Sequence, residues 1–239
     1  MKIVAASHIH SEWSYDASWS LSELAHAFGK QGCDAVLMTE HDRGWDQEKW
    51  LEYQKACSAA STSDVLIVPG IEYSDRDNNV HVLVWGARDF LGEGLPTGNL
   101  LERVREVQAS AVFAHPERRK AWEVFKDEWY EDLLGVEVWN RKTDGWAPSL
   151  KGIEAWNAHR CVPFASLDFH RKNQFHPLRM VVDVKELNGP ESIFQALSAK
   201  RVEPTYKGKK LIGTLPGGGP RGTRQLEALR RVVRNIVPH

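Results

Sequence analysis

The chain has 239 residues, long for one average domain and ordinary for a single α/β barrel, and it can bury a large core without disulfides. A net charge of −1 with 26% charged residues excludes a globally basic nucleic-acid binder or a polybasic membrane-surface protein. Cys33, Cys57 and Cys161 lie in apolar contexts without a Cys-x-x-Cys pair and read as reduced thiols of a cytoplasmic protein, while no apolar run approaches the ~18 residues of a membrane span and no signal peptide is expected.

Ile3 to Ala6 is a short, bounded apolar run, as a buried strand should be, and it ends in His8-Ile-His10. Residues at i and i+2 of an extended segment share a face, so both imidazoles are expected to point to one place. Alone this carries little, because two polar residues leaving a strand are ordinarily solvated. Ser20-Leu-Ser-Glu23 is a capping box opening a helix that Gly32 closes. Ala35 to Met38 is the next strand and runs into Thr39-Glu-His-Asp42, followed by a helix over residues 47 to 60. Val65 to Val68 ends in Pro69-Gly-Ile-Glu72. Val80 to Trp85 follows after the turn-like Asp75 to Asn79 and is expected to pair with its predecessor.

Asn99 to Gln108 reads as a helix. Ala111 to Ala114 is a strand ending in His115-Pro116, and the aromatic-rich stretch Lys120 to Leu134 reads as helical. Gly135 to Val138 ends in Trp139-Asn140, with Asn140 open to either substrate contact or capping. A helix from Pro148 to about His159 and a strand from Val162 to Ser166 lead to Leu167-Asp-Phe-His170. Met180 to Val184 is a further strand, and Pro190 starts a helix to Lys200. Strands that are continuous apolar runs, alternating with helices about seven times, predict a parallel sheet covered on both faces. A closed (β/α) barrel over 1–204 fits best, and the absence of Gly-x-Gly-x-x-Gly after the first strand removes the usual dinucleotide-binding open sheet. Residues 205–239 read as an extension, with a Gly/Pro-rich linker over Gly213 to Gly222 and an amphipathic helix from Gln225 to Val237. Its basic face is either solvated or an anion or oligomer contact.

Nearly every predicted strand ends on a histidine or a carboxylate. The ends supply His8, His10 and Asp16, then Glu40, His41 and Asp42, then Glu72 and His81, then His115, then Asp168 and His170. In a parallel barrel these ends open onto one face. Nitrogen and oxygen donors without thiolate suit Zn, Mn or Fe. Leaving aside Glu40 and Asp42, nine such donors exceed what one ion needs and point to two or three divalent metals. A multinuclear site lowers the pKa of a shared water and clamps an in-line displacement, which points to phosphoester hydrolysis.

The set His8-Ile-His10, Asp16, Glu40-His41-Asp42, Gly70-Ile-Glu72, His81, His115-Pro116 and Asp168-Phe-His170 resembles the PHP (polymerase and histidinol phosphatase) family, in order and strand-end placement, over residues 1 to about 200. The resemblance implies a distorted seven-stranded (β/α) TIM-like barrel and a trinuclear metal centre. It implies that His8 and His10 hold a first metal with Glu72 and Asp168 completing or bridging it, that Asp16 and His41 serve a second with His170 nearby, and that His81 and His115 serve a third. The chain has Ala6 where the family often has Asp, and Glu40 where it usually has Asp. Neither is a ligand position.

For phosphate, Arg118 and Arg43 are the candidate clamps, since guanidinium matches phosphate oxygens as a fork. Arg171 and His176 are weaker candidates. Asp42 or a ligand histidine is the candidate for protonating the leaving group. Trp13, Trp19, Trp45, Trp139 and Trp146 lie in rim loops, where they either pack loops down or stack a base or sugar. The expected substrate is a small phosphomonoester such as a nucleotide or an amino-alcohol phosphate. A nuclease acting on DNA or RNA ends, and a non-catalytic metal-binding module, are the alternatives.

Overall fold

A computed structural model describes residues 1–211. The apolar N-terminal run forms strand β1 (Lys2–Ile9), and the capping box at Ser20 and Glu23 starts helix α1 (Leu21–Gly29). β2 (Ala35–Met38) continues past Thr39 into β3 (Glu40–His41), and α2 (Gln47–Ala60) follows from an Asp46 cap. β4 (Leu66–Val68) continues past Pro69 into β5 (Gly70–Ser74), which turns back as β6 (His81–Trp85). Then come α3 (Thr97–Glu106), β7 (Ser110–Phe113), β8 (Gly135–Asn140), the short α4 (Arg141–Asp144), α5 (Leu150–His159), β9 (Val162–Ser166), β10 (Leu178–Asp183), α6 (Pro190–Ser198), β11 (Val202–Tyr206) and β12 (Lys209–Lys210).

These strands make two mixed six-stranded sheets, in the orders β12-β11-β10-β1-β2-β4 and β3-β5-β6-β7-β8-β9, rather than one ring of seven parallel strands. The departure has local causes. β5 and β6 are joined by a hairpin and pair antiparallel, with Ser74 opposite His81, as the turn-like Asp75 to Asn79 predicts. β6 therefore runs backwards, and its first residue lies at the end where the other strands finish. The link from β9 to β10 holds only a 3-10 turn, Lys172–Gln174, and no crossover helix, so β10 returns antiparallel to β1. The segment after β9 bonds to β1, with Leu167 N–H donating to Ser7 O at 3.0 Å and Phe169 N–H to His8 O at 3.0 Å.

The chain passes from one sheet to the other at Thr39 and Pro69. There Gly70 meets the second strand so closely that a Cβ would lie 2.5 Å from Met38 O, and Trp85 Nε1 donates to that same carbonyl at 2.9 Å. Glycine is the residue that allows this approach. The stretch expected as one helix from Lys120 to Leu134 is instead two 3-10 segments, Arg118–Glu123 and Asp127–Asp132. Arg119 and Lys120 adopt left-handed φ of 49° and 57°, and Phe125 stacks on Phe113 at 4.0 Å, so packing of the aromatics overrides helix continuity. Residues 205 to 210 finish β11 and form β12; the linker and C-terminal helix expected further on lie outside the described residues. The three cysteines are buried and free. Among the described residues no helix is long and apolar enough to cross a membrane.

Candidate metal centre

The strand ends deliver their polar residues to one buried point. Glu72, from β5, is the hub. Its carboxylate lies 2.7 Å from His81 Nδ1, 2.9 Å from His115 Nε2, 3.0 Å from His41 Nδ1, 3.4 Å from His8 Nε2 and 3.5 Å from His10 Nε2. Asp168 sits opposite, 3.7 Å from His10 Nε2, 3.9 Å from His8 Nε2 and 3.3 Å from His170 Nδ1. Asp16 closes the outer side, 3.2 Å from His41 Nε2 and 3.1 Å from His170 Nε2. All nine residues expected as ligands are therefore in one connected cluster. Three groups offer ligand atoms within 4.8 Å of one another: His8 with His10 and Asp168, His8 with Glu72 and His115, and His10 with His41 and His170.

His8 and His10 do not converge by simple strand alternation. The pairing of β1 with β2 shifts register between Ser7 and Ile9, so His8 is a bulge residue with φ of 61°. His115 (φ 28°) and Asp168 (φ 51°) are also left-handed. Such backbone is uncommon outside glycine, and here it aims side chains that a regular strand would send elsewhere.

Hydrogen bonds behind the rings set which nitrogen faces inward. His8 Nδ1 donates to Glu137 Oε1 at 2.8 Å. The Ser14 hydroxyl gives its one proton to Glu40 at 2.5 Å, so at 3.3 Å it accepts from His10 Nδ1. Both rings then present Nε2 to the cluster, and both Nε2 atoms are buried without a hydrogen-bond partner. Buried polar atoms are ordinarily satisfied, so these two unpartnered nitrogens facing two carboxylates fit a cation-binding site. The donor set agrees: six imidazoles, three carboxylates and no thiolate.

The electrostatics of the metal-free protein point the same way. Burial works against the Glu72 carboxylate, but His81, His8, His115 and His41 hold its pKa well below the usual range. Burial likewise opposes Asp168, and His8, Lys142 and His115 outweigh it and lower its pKa. Burial disfavours protonation of His41, yet Asp16 and Glu72 push it up to about 10. His8 is raised for the same reason, by Glu137, Glu72 and Asp168 acting against burial. His10, by contrast, is lowered by burial and by the charges on His41 and His170. A cation at these nitrogens would compete with the protons that the carboxylates favour on His8 and His41.

A cavity of about 450 Å³ opens onto the cluster, lined by Tyr15, Asp42, Arg43, Arg76, Arg118 and Lys142 besides the ligand residues. Arg118 reaches the cluster, with Nη1 3.1 Å from His81 Nε2 and its guanidinium tied to Asn78 O and Oδ1 at 3.0 and 3.1 Å. Arg43 lies over the exposed ring of Tyr15 at 5.7 Å, and that ring stacks on His41. Asp42 also faces the cavity, with one oxygen accepting from Ser74 and the other from Gly94 N–H, both at 3.0 Å; burial raises its pKa. Asn140 caps α4 and donates to Glu137, so it is a structural residue. Trp45 and Trp139 are buried, Trp13 and Trp19 pack against the core, and Trp146 alone of the rim tryptophans is exposed.

Three contributors escape a reading by strand ends. Lys142 Nζ sits 3.0 Å from Asp168 Oδ1 and 3.3 Å from His170 Nε2. Ser14 and Glu137 act behind the rings. Glu137 carries a signal all the same: a carboxylate inside the apolar run Gly135-Val-Glu-Val138 must find partners if the strand is buried.

No protein-family model and no curated protein matches this chain. Solved structures do. A two-domain protein from Bacteroides vulgatus, containing a predicted PHP-like metal-dependent phosphoesterase, aligns at a TM-score of 0.67 and 17% identity over 86% of this chain and 65% of its own. PsfC from Pseudomonas syringae aligns at 0.63 and 13% over 98% of both chains. The lesion-specific endonuclease EndoQ from Pyrococcus furiosus aligns at 0.61 and 16% over 83% of this chain and 56% of its own. This chain thus spans less than two thirds of the Bacteroides protein and of EndoQ. At these identities the likeness is one of fold, and the fold of this chain is that of the PHP-like metal-dependent phosphoesterases.

Proposed function

We propose that this chain is a multinuclear metal-dependent phosphoesterase acting on a small phosphomonoester, such as a nucleotide or an amino-alcohol phosphate. The observation that carries the reading is the pair of buried Nε2 atoms of His8 and His10 without hydrogen-bond partners, facing Glu72 and Asp168 at the floor of a cavity that Arg43, Arg76, Arg118 and Lys142 also line. His8, His10, Glu72 and Asp168 would hold one ion, Asp16, His41 and His170 a second, and His81 and His115 with Glu72 a third. Bound Zn, Mn or Fe supplies a water nucleophile at neutral pH and polarises phosphoryl oxygens. Arg118 and Lys142 flank the cluster and would bind the charge that grows on those oxygens. Arg43, further out, would hold a second polar group of the substrate. Asp42, with its pKa raised by burial, would hold the proton for the departing alkoxide. The cavity volume lies within the range of small-molecule sites.

A nuclease reading has its own support. A second cavity of about 470 Å³ shares Asp16 and Lys142 with the first and is lined by Arg141 and Arg171, which extends positive charge past the cluster. A chain of phosphates crossing both cavities would show hydrolysis that weakens steeply with salt, and a monoester far less.

The test is to strip the protein, reload it separately with Zn, Mn or Fe, count metal by elemental analysis, and screen phosphorylated metabolites beside oligonucleotides. The expected result is two or three ions per chain and turnover of a monoester, with His8→Ala abolishing both while the fold persists. Less than one ion per chain, or no hydrolysis with any of the three metals, overturns the reading in favour of a non-catalytic module.

A further inference from the structure

Glu137 does not face the cavity. It is fully buried on β8, behind the ligand set, where the pairing of β8 with β9 shifts register between Glu137 and Trp139. Its carboxylate accepts four hydrogen bonds. Oε1 takes His8 Nδ1–H at 2.8 Å and the Ser166 hydroxyl. Oε2 takes the backbone N–H of His115 at 2.6 Å and the Asn140 side-chain amide at 2.8 Å. That fills the acceptor capacity of a carboxylate. β1 has no carboxylate of its own to orient His8, since Lys2–Ile9 contains none.

Two of those four donors belong to residues that would serve different ions. His8 groups with His10 and Asp168 and also with Glu72 and His115; in the assignment proposed above His8 goes to the first ion, and His115, 2.9 Å from Glu72 and against the His81 ring, goes to the third. Both have left-handed backbone, which persists only where the surroundings hold it. We propose that Glu137 is a positioning residue for two metal positions at once: it fixes the His8 ring so that Nε2 faces one, and it anchors the His115 backbone so that its ring faces the other. The proposal rests on the metal-dependent reading above.

The position of Glu137 is itself set from behind. A Cβ on Gly152 of α5 would lie 2.2 Å from Glu137 O and 3.0 Å from Val138 Cα. Helix α5 therefore lies directly on the strand that carries the carboxylate, and the two metal positions inherit their alignment from that packing.

Glu137→Gln separates positioning from mere burial. The glutamine oxygen replaces one carboxylate oxygen, and its amide nitrogen, a donor, replaces the other. Facing His8, that nitrogen forces the ring to carry its proton on Nε2, which blocks the ligand atom. Facing His115, it leaves the backbone N–H without an acceptor. The experiment is a zinc titration of the metal-stripped full chain, with zinc counted by elemental analysis and the His8 tautomer read from long-range 1H–15N spectra of the zinc-loaded protein. In wild type, His8 carries its proton on Nδ1. In Glu137→Gln the protein stays folded and zinc affinity falls about 10- to 100-fold for the ion whose ligand the amide nitrogen faces, whereas Glu137→Ala, which removes both acceptors, loses more than one ion per chain. Unchanged affinity with an unchanged tautomer in Glu137→Gln overturns the proposal, as does loss of a single ion in Glu137→Ala with the others bound at wild-type strength. If Glu137→Gln fails to fold, Ser166→Ala removes one anchor and keeps the carboxylate; it should weaken zinc, and wild-type affinity there overturns the proposal. Wild type that takes up no zinc sinks both this proposal and the metal-dependent reading. Zinc uptake with the expected tautomer but no phosphoester hydrolysis sinks only the proposed activity.

Discussion

Glu137 and Glu40 both lie fully buried behind the His8–His10 pair, yet burial prevails at one and loses at the other. At Glu40, burial raises the pKa, and the hydrogen bonds from Ser11 and Ser14 do not reverse it. At Glu137, burial also opposes charge, but direct contact with His8 and the nearby His115 bring the pKa below the usual range. The difference is the histidine each one serves. Glu40 acts through Ser14 on His10, whose pKa is lowered, whereas Glu137 touches His8, whose pKa is raised. A buried carboxylate here is stably ionised only where it touches a group able to carry positive charge.

The contrast can be broken or sharpened by substitution. Glu72 is the limiting case, touching five histidines rather than one. Glu72→Gln should cost more than the ~100-fold typical of orienting partners and should remove metal as well as turnover. Full zinc content in that variant would end the hub assignment. Lys142→Met comes next. A charge-assisted hydrogen bond is worth about 1.5–3 kcal/mol, so KM should rise roughly 10- to 100-fold with zinc content unchanged; a change confined to zinc content would make Lys142 a partner of Asp168 alone. Gly152→Ala tests the support under Glu137. Overpacking there should cost about 1–3 kcal/mol in thermal unfolding and weaken zinc binding, whereas a variant with normal zinc binding would uncouple α5 from the site.

The smallest effect is expected for Glu40→Gln, with zinc affinity close to wild type. Its pH dependence carries the sharper information. In the metal-free protein, Glu40 has a raised pKa, so wild type should lose stability relative to Glu40→Gln as pH climbs above the unfolded value of ~4.3. Glu137 has a lowered pKa, so its stabilisation is fully present above ~4.3 and is lost as pH falls toward its own value. The two difference curves, measured by thermal unfolding, should slope in opposite directions. Parallel curves would remove the distinction between the two glutamates.

Strand ends were legible because a buried strand is a bounded apolar run and the residue that follows it stands out. His8, Glu72, His115 and Asp168 could each be found that way. Bending could not, nor could the antiparallel return of β10 to β1. The reversal of Val80 to Trp85, by contrast, is signalled by the turn-like Asp75 to Asn79, and it brings His81 to Glu72. The crossings at Thr39 and Pro69 depend on Gly70 meeting Met38, a contact between segments far apart in sequence. Lys142 was missed because a lysine at the start of a short helix looks like any solvated lysine. Its meaning lies in the 3.0 Å to Asp168.

The left-handed backbone at His8, His115 and Asp168 has a consequence for how this protein can change over generations. Each such residue costs on the order of 1–3 kcal/mol, and glycine at the same place would not. Glycine at His8 would relieve that backbone but would leave the buried Glu137 carboxylate without the partner that keeps it ionised. Backbone strain and buried charge are thus tied together, and a single substitution that removes one exposes the other.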